Sequence, residues 1–517
     1  MTSVIDFFFL DLKYSIIIKK GRGAVDYREE FQKLINEDNL EEAKLLLEKY
    51  KYKALDDAFY FSNMGWICNH MENFQEAELF LRKGILHFPD DGWLYAQLGY
   101  SLDHQNLVEE GLELHFKALA LGYDEPWLQA EIGWCYKQLN KHKEAIQYFE
   151  NALMEDERNV WVLSQAAGSY FQIKDYESAL EYYKKSYQIL PDDDGLLDLI
   201  QAYKSLEMYE EEIQYLLLLK DETLNEYKHY EIGLAYYYLE RYEDALPYLL
   251  YCLEHGRDET RIHSVLGDVY LNLDNKAQSD HHFQKALTYY EKALKRETDS
   301  DWIYQEIIWI LSKQNNYEKK LDYLDQLSKI KEPDAWLYYH YATTFSELGN
   351  YEECCKACEE FFCFDEDNVE ILDIYAWSLC KSDHYEKSID ILNQRIQRYG
   401  TSDWVWSELG WNYAYLKKYK KALECFEKAA DEKPSFLYYA MAGWSTLYTE
   451  QLELSKEYLD KALSMQSDDG WLYSLYGELY ELKKEYAVAM EYYQKAVLQG
   501  FNEQWVLDAI NRLEKLI

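Results

Sequence analysis

Proline is scarce, with six copies in 517 residues. So few helix breakers leave room for long uninterrupted helices. Apolar runs of membrane-spanning length are missing as well. The most apolar stretch, Val4 to Ile18, is broken by Asp6, Asp11 and Lys13. It is too short and too charged to span a bilayer, and it lacks the basic leader and small-residue cleavage site of a secretory signal. Its Ile and Phe runs fit a stray pair of strands or a miscalled start site, and the segment is expected to lie outside any repeating pattern. Cations are in short supply, 54 Lys and Arg against 95 Asp and Glu, for a net charge of −41. That surplus argues against nucleic acid and anionic membrane surfaces as partners.

Catalytic signatures are also missing. There is no G-x-S-x-G, no Walker sequence, no kinase set and no H-E-x-x-H. Gly21-Arg22-Gly23 is too short for a phosphate loop. No enzyme activity and no cofactor are expected. The nine cysteines are an odd number without a secretory signal, which points to reduced thiols and a cytoplasmic location. Cys354, Cys355, Cys358 and Cys363 form a C-C-x2-C-x4-C run with no matching second half. Cys354 and Cys358 stand where a helix would bury Ala and Phe, so they read as small core residues, and no metal is expected. His281-His282 and the other ten histidines form no ligand pair and read as surface residues.

What is present is a soluble, folding composition, 48% apolar and 29% charged, with 52 tyrosines. Acids recur just before predicted helices: Asp90-Asp91, Asp192-Asp193-Asp194, Asp299, Asp403 and Asp468-Asp469. There they can cap free N–H groups and suit the positive helix end. The same surplus also favours a basic partner by electrostatic complementarity; both readings stand.

A period organises the chain. Gly65, Gly99 and Gly133 are 34 residues apart, as are Gly233 and Gly267, and Gly443 and Gly477. Twelve residues further runs a second small-residue ladder: Ala77, Gly111, Ala145, Ala179, Ala245, Ala422 and Ala489. A small residue on each of two antiparallel helices lets their backbones cross closely. A mid-helix Gly costs about 1 kcal/mol relative to Ala, so its recurrence implies a packing return.

Residues 406–434 carry Trp406, Leu409, Gly410, Tyr413, Ala422, Phe426, Ala429 and Pro434. This resembles the full tetratricopeptide-repeat pattern. Residues 61–89 resemble it through Phe61, Met64, Gly65, Ala77, Leu81 and Pro89, and residues 129–152 through Ile132, Gly133, Tyr136, Ala145, Phe149 and Ala152. The resemblance implies an all-α fold, a right-handed α-solenoid (superhelix) of about fourteen helix-turn-helix repeats with a C-terminal capping helix. Extending the register covers roughly 24–500. The first unit is degenerate, its second half fitting through Phe31, Leu40, Ala43 and Leu47. Units near Ile200, Ile308, Ala342 and Ala376 replace the glycine. In the tail, Trp505, Leu507, Ile510, Leu513 and Leu516 follow helical spacing. From Gly267 to Ile308 the spacing is 41, and Ala286-Leu287 and Ala293-Leu294 lie seven apart, which predicts a second helix lengthened by two turns. The expected organisation is a non-repeat segment 1–23, a first array 24–297, a second array 298–502 and a capping helix 503–517.

The tryptophans fall in two rows. Trp93, Trp127, Trp161, Trp302, Trp336, Trp404, Trp471 and Trp505 occupy the second position of their units. Trp66, Trp134, Trp309, Trp377, Trp411 and Trp444 occupy the ninth. The rows are seven residues apart and share a helix face. The family places groove-facing side chains at these positions, so the resemblance implies a concave groove lined by aromatics. Small residues between the rows (Ser62, Ala96, Ala130, Ser164, Ser407, Ala440, Ser474) would form its floor. The competing reading has the rows packing between units and setting curvature. The rows lapse at Asp194, Tyr227 and Arg261, and at Gly168, Gln201, Leu234 and Asp268. Two aromatic surfaces, 59–161 and 302–505, would then flank a stretch lined by Tyr230, Tyr237 and Tyr238. Some family members grip a chaperone's terminal carboxylate with Lys, Asn and Arg at groove positions; the aromatic ninth positions here depart from that pattern. The implied function is a scaffold or adaptor that binds a protein or peptide. The alternative is a structural, self-assembling solenoid subunit.

Overall fold

The computed structural model describes residues 27–51, 58–220, 222–255, 259–297, 300–465 and 468–517. The segment 1–23 lies outside them, as does Asp299. Among the described residues there are twenty-nine α-helices and no strand. Twenty-eight form fourteen consecutive antiparallel pairs, from Tyr27–Asn36 with Leu40–Tyr50 to Gly470–Leu482 with Tyr486–Leu498; the last, Gln504–Leu513, stands alone. The chain divides into two compact units between residues 258 and 259, each holding seven pairs. No helix among the described residues is long and apolar enough to cross a membrane.

Each pair is punctuated in the same way. All fourteen intra-pair turns place one residue in the left-handed region. It is glycine only once, Gly349 at φ 73°; elsewhere it is a polar residue such as Asn140 (57°), Lys174 (64°), Glu240 (57°) or Lys417 (58°). The next residue donates its N–H to the carbonyl five residues back, as in Lys141 to Tyr136 (2.9 Å) and Lys418 to Tyr413 (2.8 Å). That is the Schellman closure, which satisfies a carbonyl the helix end leaves open. Several predicted acids cap the following pairs: Asp91, Asp192 and Asp469 accept from the N–H groups of Trp93, Gly195 and Leu472. Before Asp403 the cap is Ser402, which accepts from Val405.

The small-residue ladders do what their spacing predicted. A Cβ on Gly133 would come within 2.8 Å of the Phe149 ring, and one on Gly410 within 2.6 Å of the Phe426 ring. Ala77, Ala145, Ala179, Ala245, Ala422 and Ala489 are fully buried on the facing helices. Glycine faces a ring at Gly133, Gly267, Gly410 and Gly477, and leucine at Gly65, Gly233 and Gly443. Where the first helix carries Ile200 or Ile308, the facing residue is Leu216 or Leu324, and all four are inaccessible. In the first pair Ala43 and Leu47 are buried on the second helix and Leu40 is half-buried there, while Phe31 is buried on the first helix and not in the second half expected for it. The lengthened helix is Lys276–Leu294, nineteen residues, with Phe283, Ala286, Leu287 and Tyr290 buried.

Two expectations need correction. The lone helix buries Val506, Ala509 and Leu513, while Trp505 and Leu516 are exposed. Val506 and Ala509 join Leu513 in the buried stripe with Ala489 and Tyr493, Leu507 and Ile510 are half-buried, and the Trp505 ring lies at the rim, its centroid 6.1 Å from that of Tyr493. The histidines are not all on the surface. His115, His263 and His282 are buried. Nδ1 of His263 and Nδ1 of His282 lie 2.8 Å apart. Burial, then the neighbouring His263, lowers the His282 pKa to about 4, which keeps that ring neutral.

Candidate partner-binding face

In the helix pairs that carry them, the second-position tryptophan lies at the start of the first helix and the ninth-position tryptophan two turns on. In the first unit the set is Trp66, Trp93, Trp127, Trp134 and Trp161. In the second it is Trp302, Trp309, Trp336, Trp377, Trp404, Trp411, Trp444 and Trp471, with Trp505 on the lone helix. Trp302 and Trp505 are exposed, at 54% and 43%; every other ring in the rows is half-buried and none is fully buried. Trp377 meets the Tyr351 ring, centroids 5.1 Å apart, and each of the other half-buried rings leans on an apolar cluster. Trp134 and Trp161 flank Phe149 and Ala166. Trp411, Trp444 and Trp471 flank Phe426 and Met441, with the Trp411 and Trp444 centroids 6.4 Å apart. The rows therefore join neighbouring pairs and still show ring surface to solvent.

Of the seven small residues between the rows, Ser62 and Ser164 are half-buried and the other five are closed off from solvent. Ala96, Ala130, Ala440 and Ser474 are at most 3% exposed, and Ser407 is buried too. Ala96 packs on Leu128 and Ile132 of the next pair. Their small size serves close approach of helices, so a ligand on this face would meet other side chains.

Those side chains include carboxylates that the spacing argument passed over. Trp-x3-Glu-x2-Trp occurs three times: Trp127-Glu131-Trp134, Trp302-Glu306-Trp309 and Trp404-Glu408-Trp411. Positions i, i+4 and i+7 lie on one helix face, so each Glu stands between two rings. Glu131 is nearly buried, and desolvation, with Asp103 nearby, raises its pKa to about 8. Desolvation raises that of Glu408 to about 7 against the pull of Lys381. Desolvated carboxylates between aromatic faces favour a cation.

The chain supplies its own cations at two of the ninth positions. The Lys313 ammonium lies 5.4 Å over the Trp309 ring and 2.9 Å from Asp268. Lys381 lies 5.5 Å over Trp377. Four residues beyond Trp134 and Trp411 stand Gln138 and Tyr415 instead. In the central stretch Lys204 pairs with the nearly buried Glu231 at 2.5 Å. The four-cysteine run is dispersed: Cys354, Cys355 and Cys358 join a core with Ala342, Phe361 and Tyr375, and Cys363 is exposed. Cys354 donates to the Ala342 carbonyl (3.2 Å) and accepts from Ser378 (3.1 Å).

Family models described as the tetratricopeptide repeat match residues 128–159, 162–193, 230–279 and 404–436. No curated protein matches the sequence. Among solved structures, the chain resembles a component of the APC/C hetero-tetramer Cut9–Hcn1 (13% identity, TM-score 0.36, 91% of this chain and 98% of that one). It also resembles a component of Naa15/Naa10 bound to HypK-THB (13%, 0.34, 95% and 96%) and yeast Tom70 (13%, 0.33, 82% and 95%). With fourteen helix pairs among the described residues closed by one turn, small-residue crossings at a fixed register and family models matching at four places, the chain carries tetratricopeptide repeats at 128–159, 162–193, 230–279 and 404–436.

Proposed function

We propose that this chain is an adaptor that holds a basic segment of a partner protein against its tryptophan rows. The observation that carries the proposal is the Trp-Glu-Trp triplet at 127–134 and again at 404–411, with half-buried rings and a desolvated carboxylate between them. Lys313 over Trp309 and beside Asp268 is an internal example of the contact a partner's Lys or Arg would make. The net charge of −41 steers such a partner toward the chain and sets no register.

The test uses the full chain and a library of Lys/Arg-containing peptides, with acidic and neutral libraries as controls. Basic peptides are expected to bind. Trp411→Ala should weaken binding about tenfold or more, as loss of a buried aromatic anchor does, with less effect on the melting temperature than on affinity. Affinity should rise between about pH 6 and pH 8 as Glu408 ionises near pH 7, and Glu408→Gln should flatten that rise. Equal affinity for all three libraries, or binding indifferent to Trp134→Ala and Trp411→Ala, would assign the rows to packing alone. Concentration-dependent light scattering without any peptide binding would favour self-assembly instead.

A further inference from the structure

Comparing the helix pairs with one another isolates one that breaks its own pattern. Sixteen residues after the small first-helix residue, the second helix normally buries a large side chain: Leu81, Phe149, Phe283, Phe426 and Tyr493 are examples. In the pair Gly92–Asp103 with Val108–Ala120, that place holds His115, at 0% exposure. The alanine ladder is broken in the same pair. Gly111 stands there, and a Cβ on it would collide with Oδ1 of Asp103, itself 1% exposed. Two departures from the repeat thus make room for one buried carboxylate beside one buried imidazole.

A third donor arrives from the next pair. Nε2 of His115 lies 2.7 Å from Oδ2 of Asp103, and Sγ of Cys135 lies 3.3 Å from the same oxygen. One ligand atom from each of the three residues lies within 4.8 Å of the others, and all three residues are buried. Asp103 Oδ1 and His115 Nδ1 are buried without a hydrogen-bond partner. Among the described residues no Lys or Arg pairs with Asp103. Glu131, one turn before Cys135 on the same helix and 7% exposed, lies within electrostatic reach of Asp103 and Cys135.

We propose that Asp103, His115 and Cys135 bind a divalent transition-metal ion of the zinc class, clamping this helix pair to the Pro126–Gln138 helix of the next. The mixed oxygen, nitrogen and sulfur donors suit such an ion. Its two positive charges balance one carboxylate and one thiolate, which removes the cost of an uncompensated buried charge. Binding displaces the Cys135 thiol proton to solvent, and the proton shared between His115 Nε2 and Asp103 Oδ2 moves to His115 Nδ1, so that the imidazole binds neutral and Asp103 binds as the carboxylate. A water completes four-coordination. A tetrahedral site with bonds of about 2 Å needs its donors somewhat over 3 Å apart, so Asp103 and His115 must part by roughly half an ångström on loading.

The test uses full-length chain made without a metal-affinity tag, stripped of metal and titrated with Zn2+ and with Co2+. One equivalent of Zn2+ per chain is expected, together with a thiolate-to-cobalt charge-transfer band and an upward shift in melting temperature with Zn2+. His115→Phe restores the side chain other pairs use, and should abolish uptake. Cys135→Ser installs the residue found at the same register in both flanking pairs, Ser101 and Ser169, and should remove the band. Cys358→Ala should change neither stoichiometry nor band. A wild-type chain that melts cooperatively yet takes up no equivalent of either ion overturns the proposal. So does full uptake that survives Cys135→Ser in a variant that melts cooperatively.

Discussion

Lys320 occupies the small-residue ladder of the Tyr317–Leu327 helix, opposite Ile308, and is 3% exposed. Desolvation lowers its pKa to about 8, against the pull of Glu347, and its charge helps hold His340 neutral. The unfolded chain keeps the ordinary lysine value of about 10.5. Between those values the unfolded state binds more protons, so the penalty is full below about pH 8 and fades as pH rises toward 10.5. Lys320→Met keeps the stem and removes the charge. It is expected to stabilise the chain by on the order of 2 kcal/mol at neutral pH, with the gain shrinking in alkaline solution. Urea melts at pH 7 and pH 10 check this; a gain independent of pH would mean that packing, not charge, is responsible. Glu212 holds the same ladder place opposite Ile200, and desolvation together with Glu231 raises its pKa to about 7. The two units with isoleucine at the glycine place thus combine a β-branched residue at the crossing with a buried ionisable group.

At the scale of the helix pair, two glycines of the same chain should respond with opposite signs to the same change. Gly410→Ala gains about 1 kcal/mol of helix propensity, but its Cβ would meet the Phe426 ring at 2.6 Å. Overpacking of that kind costs roughly 1–3 kcal/mol, so the net effect is destabilising. At Gly168 the nearest atoms are the flexible Lys137 Nζ at 3.3 Å and the Tyr183 hydroxyl at 3.7 Å. Gly168→Ala should therefore stabilise by up to about 1 kcal/mol. Denaturant midpoints of the two variants decide it, and two shifts of the same sign would discredit the crossing argument. This contrast also marks what the sequence could tell. Glycines whose Cβ has no room recur every 34 residues, because every pair crosses at one point, and so the helix pairs were legible. The left-handed turn residues were not, since Asp, Glu, Asn and Lys stand where glycine would have flagged them. On the lone helix Trp505 shared the apolar spacing with Leu507, Ile510, Leu513 and Leu516, yet Val506, outside that set, is fully buried. The Asp103–His115–Cys135 cluster was hidden for another reason: its members come from three helices. A histidine in a ladder of Leu and Phe was the available signal.

For the whole molecule, burial is local in sequence. Phe149 packs with Ala130 and Ala145 of its own pair and with Val162 and Ala166 of the next; Leu459 does the same with Ala440 and with Leu472. No single centre gathers distant segments within either unit, so stability is a sum of pair and neighbour-interface terms, and each pair's outer face is covered only by the next helix along the chain. The Gln504–Leu513 helix covers Ala489, Tyr493, Met490 and Val497. A chain ending at residue 500 would show that face to water. Such a chain should self-associate as concentration rises, by light scattering. Its amides in 470–498 should exchange faster, while those in 27–50 and 58–87 keep their protection. If protection fell in those first pairs as well, stability would be shared along the chain, and substitutions such as Gly410→Ala could not be read as local. If it fell only at the end, the tryptophan triplets at 127–134 and 404–411 could be altered one at a time, each with the other as its internal control.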